Sequence, residues 1–411
     1  MKRLKVFLCF AEDSEIQVGE LALKEHRIYF QYDSDFLKTS LWLSPYKLPL
    51  SSDLYEHRDV DFGHVFGLFD DSLPDGWGLM LMDRYLRARG YSVEQLSVLD
   101  RLSFLGSNTM GALTYKPVLE LDAVNTAPFD LYNLHIQSQQ IMMGKTQTVL
   151  TELMKAGGSP GGARPKVLVG LCKDKLISGE GNLPGNFEHW IVKFNGLNDY
   201  PDSGSVEYGY SLMAKDCGIN MPETRLFNTE QGSVFFGVKR FDRDSNKRVH
   251  THTFGNLIHS NFRIPSCDYE MFFRVINDLT KNHMDLIRGF RQMVFNIVTN
   301  NRDDHVKNFS FTMNQKGEWS LSPAYDLTFS TGPGGEHSMT VDGEGRSPSM
   351  ANIYHLGEKS GIKKKDIILI IDQVIQVAAN WPKYAETAGV SEQSMEIVNK
   401  RIKSNKLMTS F

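Results

Sequence analysis

The sequence predicts an α+β protein in which a small N-terminal module precedes a bilobal body whose second lobe is mainly helical. Two observations lead to this prediction. Between residues 166 and 243, segments with strand and helix patterns follow the order β-β-β-α-β-β. Beyond residue 246 the patterns are mostly helical, for example in FRQMVFNIVTN at residues 290–300. We therefore expect three parts, at residues 1–118, 119–245 and 246–411.

The N-terminal module is expected to combine a small sheet with two helices. KRLKVFLCF at residues 2–10 and RIYFQY at residues 27–32 are rich in strand-forming residues. One helix should begin after Asp75 and stop at Gly90, and VEQLSVLDRLSFLG should form another that ends at Gly106. Strand-forming residues return in MGALTYKPV, which closes the module.

The second part should be built around a sheet. Two helices are expected between about residues 130 and 156, before a strand pair formed by KVLVGLCKDKLISGE. The strand HWIVKF follows, and SVEYGYSLMAKDCG should form a helix that begins at a serine cap, Ser205, and ends at Gly218. ETRLFN and VFFGVKRFDR then supply two further strands joined by a turn at Gly232.

The composition excludes several classes of function. The 411 residues are 41% hydrophobic and 23% charged, which is typical of a globular protein. A formal net charge of -4 argues against autonomous nucleic-acid binding, so any contact with DNA should come through a partner. The four cysteines lie far apart without a CxxC pair, which is typical of reduced thiols and excludes a zinc knuckle.

The apolar segments are too short to enter a membrane. IILII at residues 367–371 is followed by Asp372, whereas about 20 apolar residues are needed to span a bilayer. Near the N-terminus, KVFLCF is too short for the apolar core of a signal peptide and is followed by the acidic AEDSE. We expect no membrane association and a cytoplasmic location.

A glycine-rich segment, GGSPGGARPK at residues 157–166, is a candidate phosphate-binding loop. It is not a Walker A motif, because Ala163 and Arg164 follow Gly162 where Lys and Ser or Thr are required. It is not a Rossmann fingerprint either, because a strand pair follows it and not a helix. A glycine loop that leads into a strand pair covers the nucleotide phosphates in protein kinases. The alternative is a surface linker.

A second candidate motif lies in NRDDHVKNFSF at residues 301–311. Asp303 and Asn308 have the D-x-x-x-x-N spacing of a kinase catalytic loop, in which the Asp faces the acceptor hydroxyl and the Asn binds magnesium. Further on, Asp326 in LSPAYDLT has the position of a second metal ligand. Tyr325 precedes it, no Gly follows it and no A-P-E occurs downstream, so the chain is not a standard eukaryotic protein kinase. The alternative is that these carboxylates only cap turns.

Two charged residues upstream complete a kinase-like set. Lys193 lies between apolar neighbours in HWIVKF, where an ammonium group needs an anion such as an ATP phosphate. Glu207, on the next helix, is a possible partner for Lys193, although it could simply favour the helix dipole. VKRFDR at residues 238–243 has the position of a hinge that presents backbone groups to adenine, and the alternative is a plain edge strand.

Other catalytic chemistries find no support in the sequence. The twelve histidines show no H-E-x-x-H or paired spacing, so no zinc site is expected. No G-x-S-x-G motif occurs, because GGSPGG has Pro where the strand-to-helix elbow must continue. A hydrolase of the Ser-His-Asp type is therefore not predicted.

In the order of its parts, the chain resembles the HipA family of bacterial serine/threonine kinases, the toxin component of HipBA-type systems. The segments that carry this resemblance are SPGGARPK, HWIVKF, VKRFDR, NRDDHVKNFSF and AYDLT. LFDDSLPDGWG and LGSNTMGALTYKP resemble the family's N-terminal subdomain, so the resemblance covers nearly the whole chain. The pattern N-x-D-x-H-x-K-N is more specific than D-x-x-x-x-N alone, and it is matched here by Asn301, Asp303, His305, Lys307 and Asn308.

The resemblance implies a protein-kinase-like bilobal fold and a role for each matching residue. Asp303 would be the catalytic base, Asn308 and Asp326 would bind Mg²⁺, and Lys193 would contact ATP. The glycine loop has the family's S-x-x-G-A-x-x-K form, which implies that it covers the ATP phosphates and that Ser159 is the autophosphorylation site. The full set expected around ATP is Gly161, Gly162, Ala163, Arg164, Pro165, Lys166, Lys193, Lys239, Arg240, Phe241, His305, Val306, Lys307, Asn308, Tyr325 and Asp326.

A phosphate on Ser159 would repel the ATP phosphates, so it should expel the loop and switch the enzyme off. The chain departs from the family pattern at Pro160, Arg164 and Pro165 in the loop and at Lys239 in the hinge, which bears on the mobility of the loop.

The resemblance also implies partners. The expected partner is a HipB-like helix-turn-helix antitoxin, through which the chain would contact DNA, and the expected substrate is a translation-related protein such as an aminoacyl-tRNA synthetase. Two alternatives stay open: a kinase-fold phosphotransferase acting on a small molecule or lipid, and a pseudokinase co-repressor that acts only by binding an antitoxin.

Overall fold

The structure, a computed structural model, describes residues 1–118, 129–146, 153–154, 157 and 161–409. The expected helix at residues 146–156 therefore lies mostly outside the described residues. The expected modification site, Ser159, lies wholly outside them. Among the described residues, no helix is long and apolar enough to cross a membrane.

The N-terminal module is a five-stranded antiparallel sheet with helices packed on it. The strands, in spatial order β4-β3-β2-β1-β5, are β1 (Lys2–Ala11), β2 (Ser14–Lys24), β3 (Arg27–Tyr32), β4 (Tyr55–Glu56) and β5 (Leu113–Lys116). The helices are α1 (Gly67–Asp70), α2 (Gly76–Ala88) and α3 (Val98–Leu105). Leu4, Val6 and Leu8 alternate with outward-facing residues along β1, so one face of this sheet is buried.

The second part carries the predicted five-stranded sheet. It contains α4 (Leu131–Met142), β6 (Lys166–Cys172), β7 (Lys175–Ser178), β8 (Glu188–Lys193), α5 (Ser203–Asp216), β9 (Thr224–Asn228) and β10 (Val234–Lys239). The strand order is β7-β6-β8-β10-β9, and all neighbouring pairs are antiparallel. This element order agrees with the β-β-β-α-β-β prediction.

The third part is mainly helical, with short strands at its edges. The strands are β11 (Arg243–Asp244), β12 (Lys247–Arg248), β13 (His250–Thr253), β14 (Cys267–Asp268), β15 (Ser310–Met313), β16 (Trp319–Leu321) and β17 (Met339–Thr340). The helices are α6 (Phe254–Ile258), α7 (Tyr269–Thr280), α8 (His283–Val298), α9 (Met350–Lys359), α10 (Lys364–Ala378), α11 (Trp381–Thr387) and α12 (Glu392–Lys403). A turn at Gly317, where φ is +80°, joins β15 to β16.

Two hydrophobic cores cross the expected boundaries between the parts. One core joins the buried face of the N-terminal sheet, including Phe30 and Tyr115, to helices of the third part, including Phe272 and Phe295. The other core joins α2, α3 and α4 to the second sheet, with Trp190 at its centre. The N-terminal module therefore packs against both of the other parts, and the boundaries at residues 118 and 245 stay predictions.

Two local predictions were wrong, and one strand was missed. The helix α5 begins at Ser203, with Asp202 at the N-cap position, so Ser205 is a buried residue within the first turn and not the cap. The segment expected as one helix before Gly106 is divided, because Ser97 forms a capping box with Asp100 and starts α3 afresh. The strand β2 was not predicted from the sequence.

Candidate active site

Lys193 lies near the centre of the candidate site, at the end of β8. Its Nζ lies 2.5 Å from Oε1 of Glu207 on α5, and the Glu207 side chain is buried. Lys193 Nζ also donates to Oδ1 of Asp326. The structure therefore brings together three of the charged residues singled out in the sequence, with the lysine between the two carboxylates.

Lys193 and Asp326 are held in their charged forms. Burial alone would lower the pKa of Lys193, but Asp326 and Glu207 outweigh burial and raise it. Burial alone would raise the pKa of Asp326, but Lys193 and Lys166 hold it well below its usual range. Asp326 has a φ of +53°, a backbone conformation that is rare for residues other than glycine and that is often found at functional sites.

The candidate catalytic loop follows α8 and carries Asp303 on an exposed position. Asn308 Nδ2 donates to the Asp303 carbonyl oxygen at 2.7 Å, which closes the five-residue loop. Although Asp303 keeps an exposed face, partial burial raises the pKa of its carboxyl group, and the charge of Asp326 raises it further. A carboxylate with a raised pKa on an open surface can accept a proton from an incoming hydroxyl group.

The neighbouring carboxylate, Asp304, points the other way and is buried. It accepts hydrogen bonds from the hydroxyl of Tyr269 at 2.8 Å, from the backbone N–H of Ser338 at 2.8 Å and from Nδ1 of His337 at 2.9 Å. These bonds fix the backbone beneath Asp303. Of the two consecutive aspartates, one is therefore exposed and the other anchors the loop.

The remaining loop residues are engaged in different ways. Lys307 Nζ lies 3.0 Å from Asp70 Oδ2 and 3.8 Å from Asp75 Oδ2, both in the N-terminal module. Val306 is buried. His305 packs against Phe262, and its buried Nδ1 has no hydrogen-bond partner among the described residues.

The described end of the glycine loop rests on the start of α2. The N–H of Gly162 donates to Asp75, and the N–H of Trp77 donates to the Gly162 carbonyl oxygen at 3.2 Å. The approach requires glycine, because a Cβ at Gly76, where φ is +40°, would lie 2.7 Å from Cα of Ala163. The N-terminal module therefore supports the loop from outside.

Two cations follow along this loop. Lys166, next to Pro165, is buried and donates from Nζ to the Gly161 carbonyl oxygen at 2.6 Å. Burial lowers the pKa of Lys166, although Asp326 opposes this shift. The Arg164 guanidinium pairs with Asp199 at 3.1 Å. Lys166 thus adds a second ammonium group near the Lys193 cluster.

The candidate hinge lies at the end of β10. Lys239 pairs with Glu188, and the N–H of Arg240 donates to the His189 carbonyl oxygen at 2.9 Å. The Arg240 guanidinium is buried in a bidentate pair with Asp242, so its side chain is not available to a ligand.

Phe241 and Tyr325 form an aromatic pair beside the hinge. Their ring centroids are 5.6 Å apart, with an interplanar angle of 26°. The Tyr325 hydroxyl donates to the Lys307 carbonyl oxygen at 2.7 Å, and burial raises the pKa of this tyrosine. The pair therefore connects the hinge to the candidate catalytic loop.

The residues expected to hold magnesium are suited to it chemically. Mg²⁺ prefers oxygen ligands and is usually held by one or two carboxylates together with substrate phosphates and water. Asp326 is ionised, and the Asn308 amide uses its nitrogen to bond Asp303, so its oxygen can act as a ligand. In the described part of the chain, no cluster of three or more His, Cys, Asp or Glu side chains could hold a metal. Substrate phosphates and water would therefore supply the other ligands.

Sequence reasoning missed the contribution of Asp70 and Asp75. These residues lie in DDSLPD, where three carboxylates occur within six positions beside the start of α2. That density of acids was the available signal. Nothing in it indicated that the acids contact Lys307 and Gly162, which are distant in the chain.

Two protein-family models match the chain. The model described as HipA-like C-terminal domain matches residues 158–381, and the model described as HipA N-terminal domain matches residues 13–116. The first match alone spans more than half of the chain and contains the Lys193 cluster and the candidate catalytic loop.

Two curated bacterial proteins are similar over part of the chain. "Putative kinase Y4dM" of Sinorhizobium fredii is 29% identical over 201 residues, which are 44% of this chain and 48% of that protein. "Putative kinase" of Haemophilus influenzae is 28% identical over 187 residues, which are 42% of this chain and 52% of that protein. The chain spans about half the length of these curated relatives.

A solved structure shares the fold over nearly the full length. The HipA protein of Shewanella oneidensis, determined in complex with HipB and operator DNA, superposes with a TM-score of 0.70. The match covers 99% of this chain and 96% of that chain at 17% sequence identity. This likeness confirms the predicted α+β bilobal fold with an N-terminal module.

Proposed function

This chain belongs to the HipA family, and from that premise we propose that it is a Mg²⁺- and ATP-dependent serine/threonine protein kinase of the HipA type. The observation that carries the proposal is the position of Lys193 between Glu207 and Asp326. In protein kinases, a lysine held by a helix glutamate contacts the ATP phosphates, and a second-lobe aspartate holds the metal. The similarity to two proteins named as kinases supports the same activity.

In the proposed reaction, Asp303 acts as the base. Its carboxylate accepts the proton of the acceptor hydroxyl while the hydroxyl oxygen bonds to the γ-phosphorus of ATP. The bond from the γ-phosphorus to the β–γ bridging oxygen breaks, and ADP leaves. The exposed position of Asp303 supports this role because the base must reach a hydroxyl group on another molecule.

Magnesium, held by Asn308 and Asp326, would neutralise negative charge on the phosphates. Lys193 and the buried Lys166 lie close enough to Asp326 to add positive charge on the same side of the site. The glycine loop would cover the phosphates, because its backbone turns at Gly162 with a φ of +99°.

The proposal includes the remaining ATP contacts expected from the family pattern. The hinge at Lys239, Arg240 and Phe241 would bind adenine through backbone groups, with Tyr325 beneath Phe241. Self-phosphorylation at Ser159 is proposed as the off switch, because the new dianion would repel bound ATP.

We propose partners by the same reasoning. The Shewanella HipA protein is in complex with HipB and operator DNA, which supports a HipB-like helix-turn-helix antitoxin as partner and DNA contact through it. The net charge of -4 supports an indirect contact. The proposed substrate is a translation-related protein such as an aminoacyl-tRNA synthetase, and the proposed location is the cytoplasm.

The test is mass spectrometry of the purified full chain after incubation with ATP and Mg²⁺, beside Asp303→Asn and Asp304→Asn variants. We expect one phosphate on Ser159 in the unmodified chain and none in Asp303→Asn, which should keep its thermal stability. Asp304→Asn should instead unfold at a lower temperature, because Asp304 is buried with three hydrogen-bond donors.

The outcomes separate the alternatives. Phosphate incorporation in Asp303→Asn at the unmodified rate would refute the role of Asp303. ATP consumption without any phosphoprotein would favour a small-molecule phosphotransferase. No consumption of ATP in the presence of candidate acceptors would favour a pseudokinase that acts by binding an antitoxin. Ser159→Ala should lose self-phosphorylation, and unchanged incorporation there would remove Ser159 from the switch.

A further inference from the structure

A polar pocket of about 120 Å³ lies behind the candidate catalytic loop, away from Lys193. It is bounded by the end of α8, by the segment at residues 337–348 and by the end of α12 with the residues that follow. Arg302, the residue directly before Asp303, lies in its wall together with Arg401 and Lys406. Among the described residues, no aspartate or glutamate lines it. The lining is therefore strongly cationic.

The two arginines lack carboxylate partners within the part of the chain that the structure describes. Arg302 donates from Nη1 to the Gly335 carbonyl oxygen, and its buried Nε has no hydrogen-bond partner among the described residues. Arg401 forms no ion pair with any described carboxylate. Burial lowers the pKa of Arg302 and the like charges of Arg401 and Arg346 lower it further, although Asp304 and Glu336 oppose this shift. Arg401 is exposed. A partly buried guanidinium with an unpartnered N–H beside a second guanidinium favours an anion.

The acids around the pocket are already engaged. Glu336 pairs with Arg346 at 2.9 Å, and Glu344 accepts from the N–H groups of Arg346 and Ser347. Beneath the pocket, Asp304 is bonded to His337 at 2.9 Å. Glu344 is also close enough to Lys406 for the lysine to lower its pKa, after the effect of its backbone hydrogen bonds. None of these carboxylates forms an ion pair with Arg302 or Arg401, and Asp304 and Glu336 act on Arg302 only from a distance.

We propose that this pocket is a binding site for a phosphoryl group, held by the guanidinium groups of Arg302 and Arg401. Arginine presents several N–H donors in a planar fork that matches the oxygens of a phosphate. A dianion carries enough charge to pair with both guanidinium groups at once. The site is separate from the ATP phosphates, which the proposed function assigns to Lys193 and the glycine loop.

Two sources could supply the phosphoryl group. One is a phosphate ester on Ser347, an exposed residue that lines the pocket. It would form when Ser347 Oγ bonds to the γ-phosphorus of ATP, ADP leaves, and the hydroxyl proton passes to the catalytic base. The other source is a free phosphorylated small molecule. Only the first source rests on the proposed kinase function.

Occupation of the pocket would act on the catalytic loop through Arg302. The Arg302 N–H donates to the Ser330 carbonyl oxygen at 3.3 Å, and the Ser338 hydroxyl donates to the Arg302 carbonyl oxygen at 3.1 Å. These bonds tie the residue before Asp303 to the segment that runs from Asp326 toward the pocket. A bound phosphoryl group would therefore stiffen both segments together.

The first experiment titrates inorganic phosphate at constant ionic strength into the full-length Ser347→Ala chain, by calorimetry and thermal unfolding, without ATP. We expect saturable binding and a raised Tm. Adding Arg401→Gln should weaken binding by about tenfold or more, since one guanidinium–phosphate pair contributes more than about 1.4 kcal/mol. Adding Lys403→Gln removes the same charge from the same helix outside the pocket and should leave binding unchanged.

Equal binding with and without Arg401→Gln, or no saturable binding, would overturn the proposal. Neither result would bear on the kinase proposal, because no ATP is present. A second arm identifies the source in the chain with Ser347 intact, after incubation with ATP and Mg²⁺. Phosphate on Ser347 with loss of the phosphate titration would identify the chain itself as the source. An unmodified Ser347 with the titration retained would identify a free ligand.

Discussion

Asp70 Oδ2 lies 3.0 Å from Lys307 Nζ, and this contact joins the N-terminal module to the candidate catalytic loop across 237 positions of the sequence. Asp75, five residues after Asp70, lies 3.8 Å from the same ammonium group and also accepts the N–H of Gly162. One acidic segment thus contacts both the catalytic loop and the glycine loop. The N-terminal module is therefore part of the architecture of the site.

Asp70→Asn should destabilise the chain and reduce its activity. The Lys307 ammonium group is largely buried, and its remaining acidic partner, Asp75, is farther away. Because about a quarter of the Asp70 side chain is exposed, we expect a loss of only about 1–2 kcal/mol of unfolding free energy, measured in urea. The exposed Asp13→Asn is the matched control and should change little. Equal stability of the two variants would contradict a role for the contact.

Glu207→Gln should reduce phosphate transfer from ATP. The substitution leaves Lys193 with Asp326 as its remaining carboxylate partner, so the ammonium group should move away from the position expected for the ATP phosphates. We expect kcat/KM for ATP to fall about 10–100-fold, the effect of displacing one electrostatic contact in a catalytic site. Glu230→Gln, in an exposed turn of the same sheet, is the control. An unchanged kcat/KM in Glu207→Gln would show that Glu207 does not position Lys193.

The rate of phosphate transfer should fall in acid as Asp303 becomes protonated. A base must be ionised to accept a proton, so activity is retained above its pKa and lost as the pH falls through it. Burial and Asp326 raise the pKa of Asp303, so the fall should occur at a higher pH than the ordinary aspartate value of about 3.9. Single-turnover rates between about pH 4 and 8 test this. A rate that stays constant down to the ordinary value would contradict the assignment.

The folded chain should lose stability below about pH 6.5, partly through His250. Burial, together with the charge of His252, lowers the pKa of His250 to about 3. The unfolded chain therefore binds a proton at His250 before the folded chain does, so stability is full above the unfolded value of about 6.5 and is lost as the pH falls toward about 3.

His250→Gln provides the test of that assignment. Glutamine does not titrate, and its amide can still donate to the Leu43 carbonyl oxygen that His250 contacts at 3.3 Å. Urea unfolding at a series of pH values should show a shallower dependence in the variant than in the unmodified chain. Parallel curves would show that other groups, such as His189, cause the loss. The pKa of His189 is lowered to about 4 by burial and by Arg240.

Local relationships in the site could be predicted from the sequence. Asp303 and Asn308 are five positions apart, and a hydrogen bond within that short loop fixes them relative to each other. Lys193 and Glu207 are 14 positions apart in one strand-helix unit, so strand and helix geometry alone brings them near. Asp326 follows a short strand pair whose turn at Gly317 is visible in the sequence.

Contacts between distant segments could not be predicted. No periodicity or spacing connects Asp70 to Lys307, because their meeting depends on how whole modules pack. The wrong helix start has the same cause. Asp202 and Ser205 are both good N-cap residues, and the contacts that decide where the helix begins come from distant parts of the sequence. The Asp202 carboxylate accepts from Ser391 and Ser394, almost 190 positions later.

Synthesis of the chain delays burial of its first strands. The apolar face of β1 belongs to the same core as Phe272 and Phe295, which leave the ribosome more than 250 residues later. At about 5–20 residues per second, that interval is on the order of 10–50 seconds. During this time the nascent N-terminal sheet exposes part of its core face, so the chain should be sensitive to chaperone supply and to translation speed.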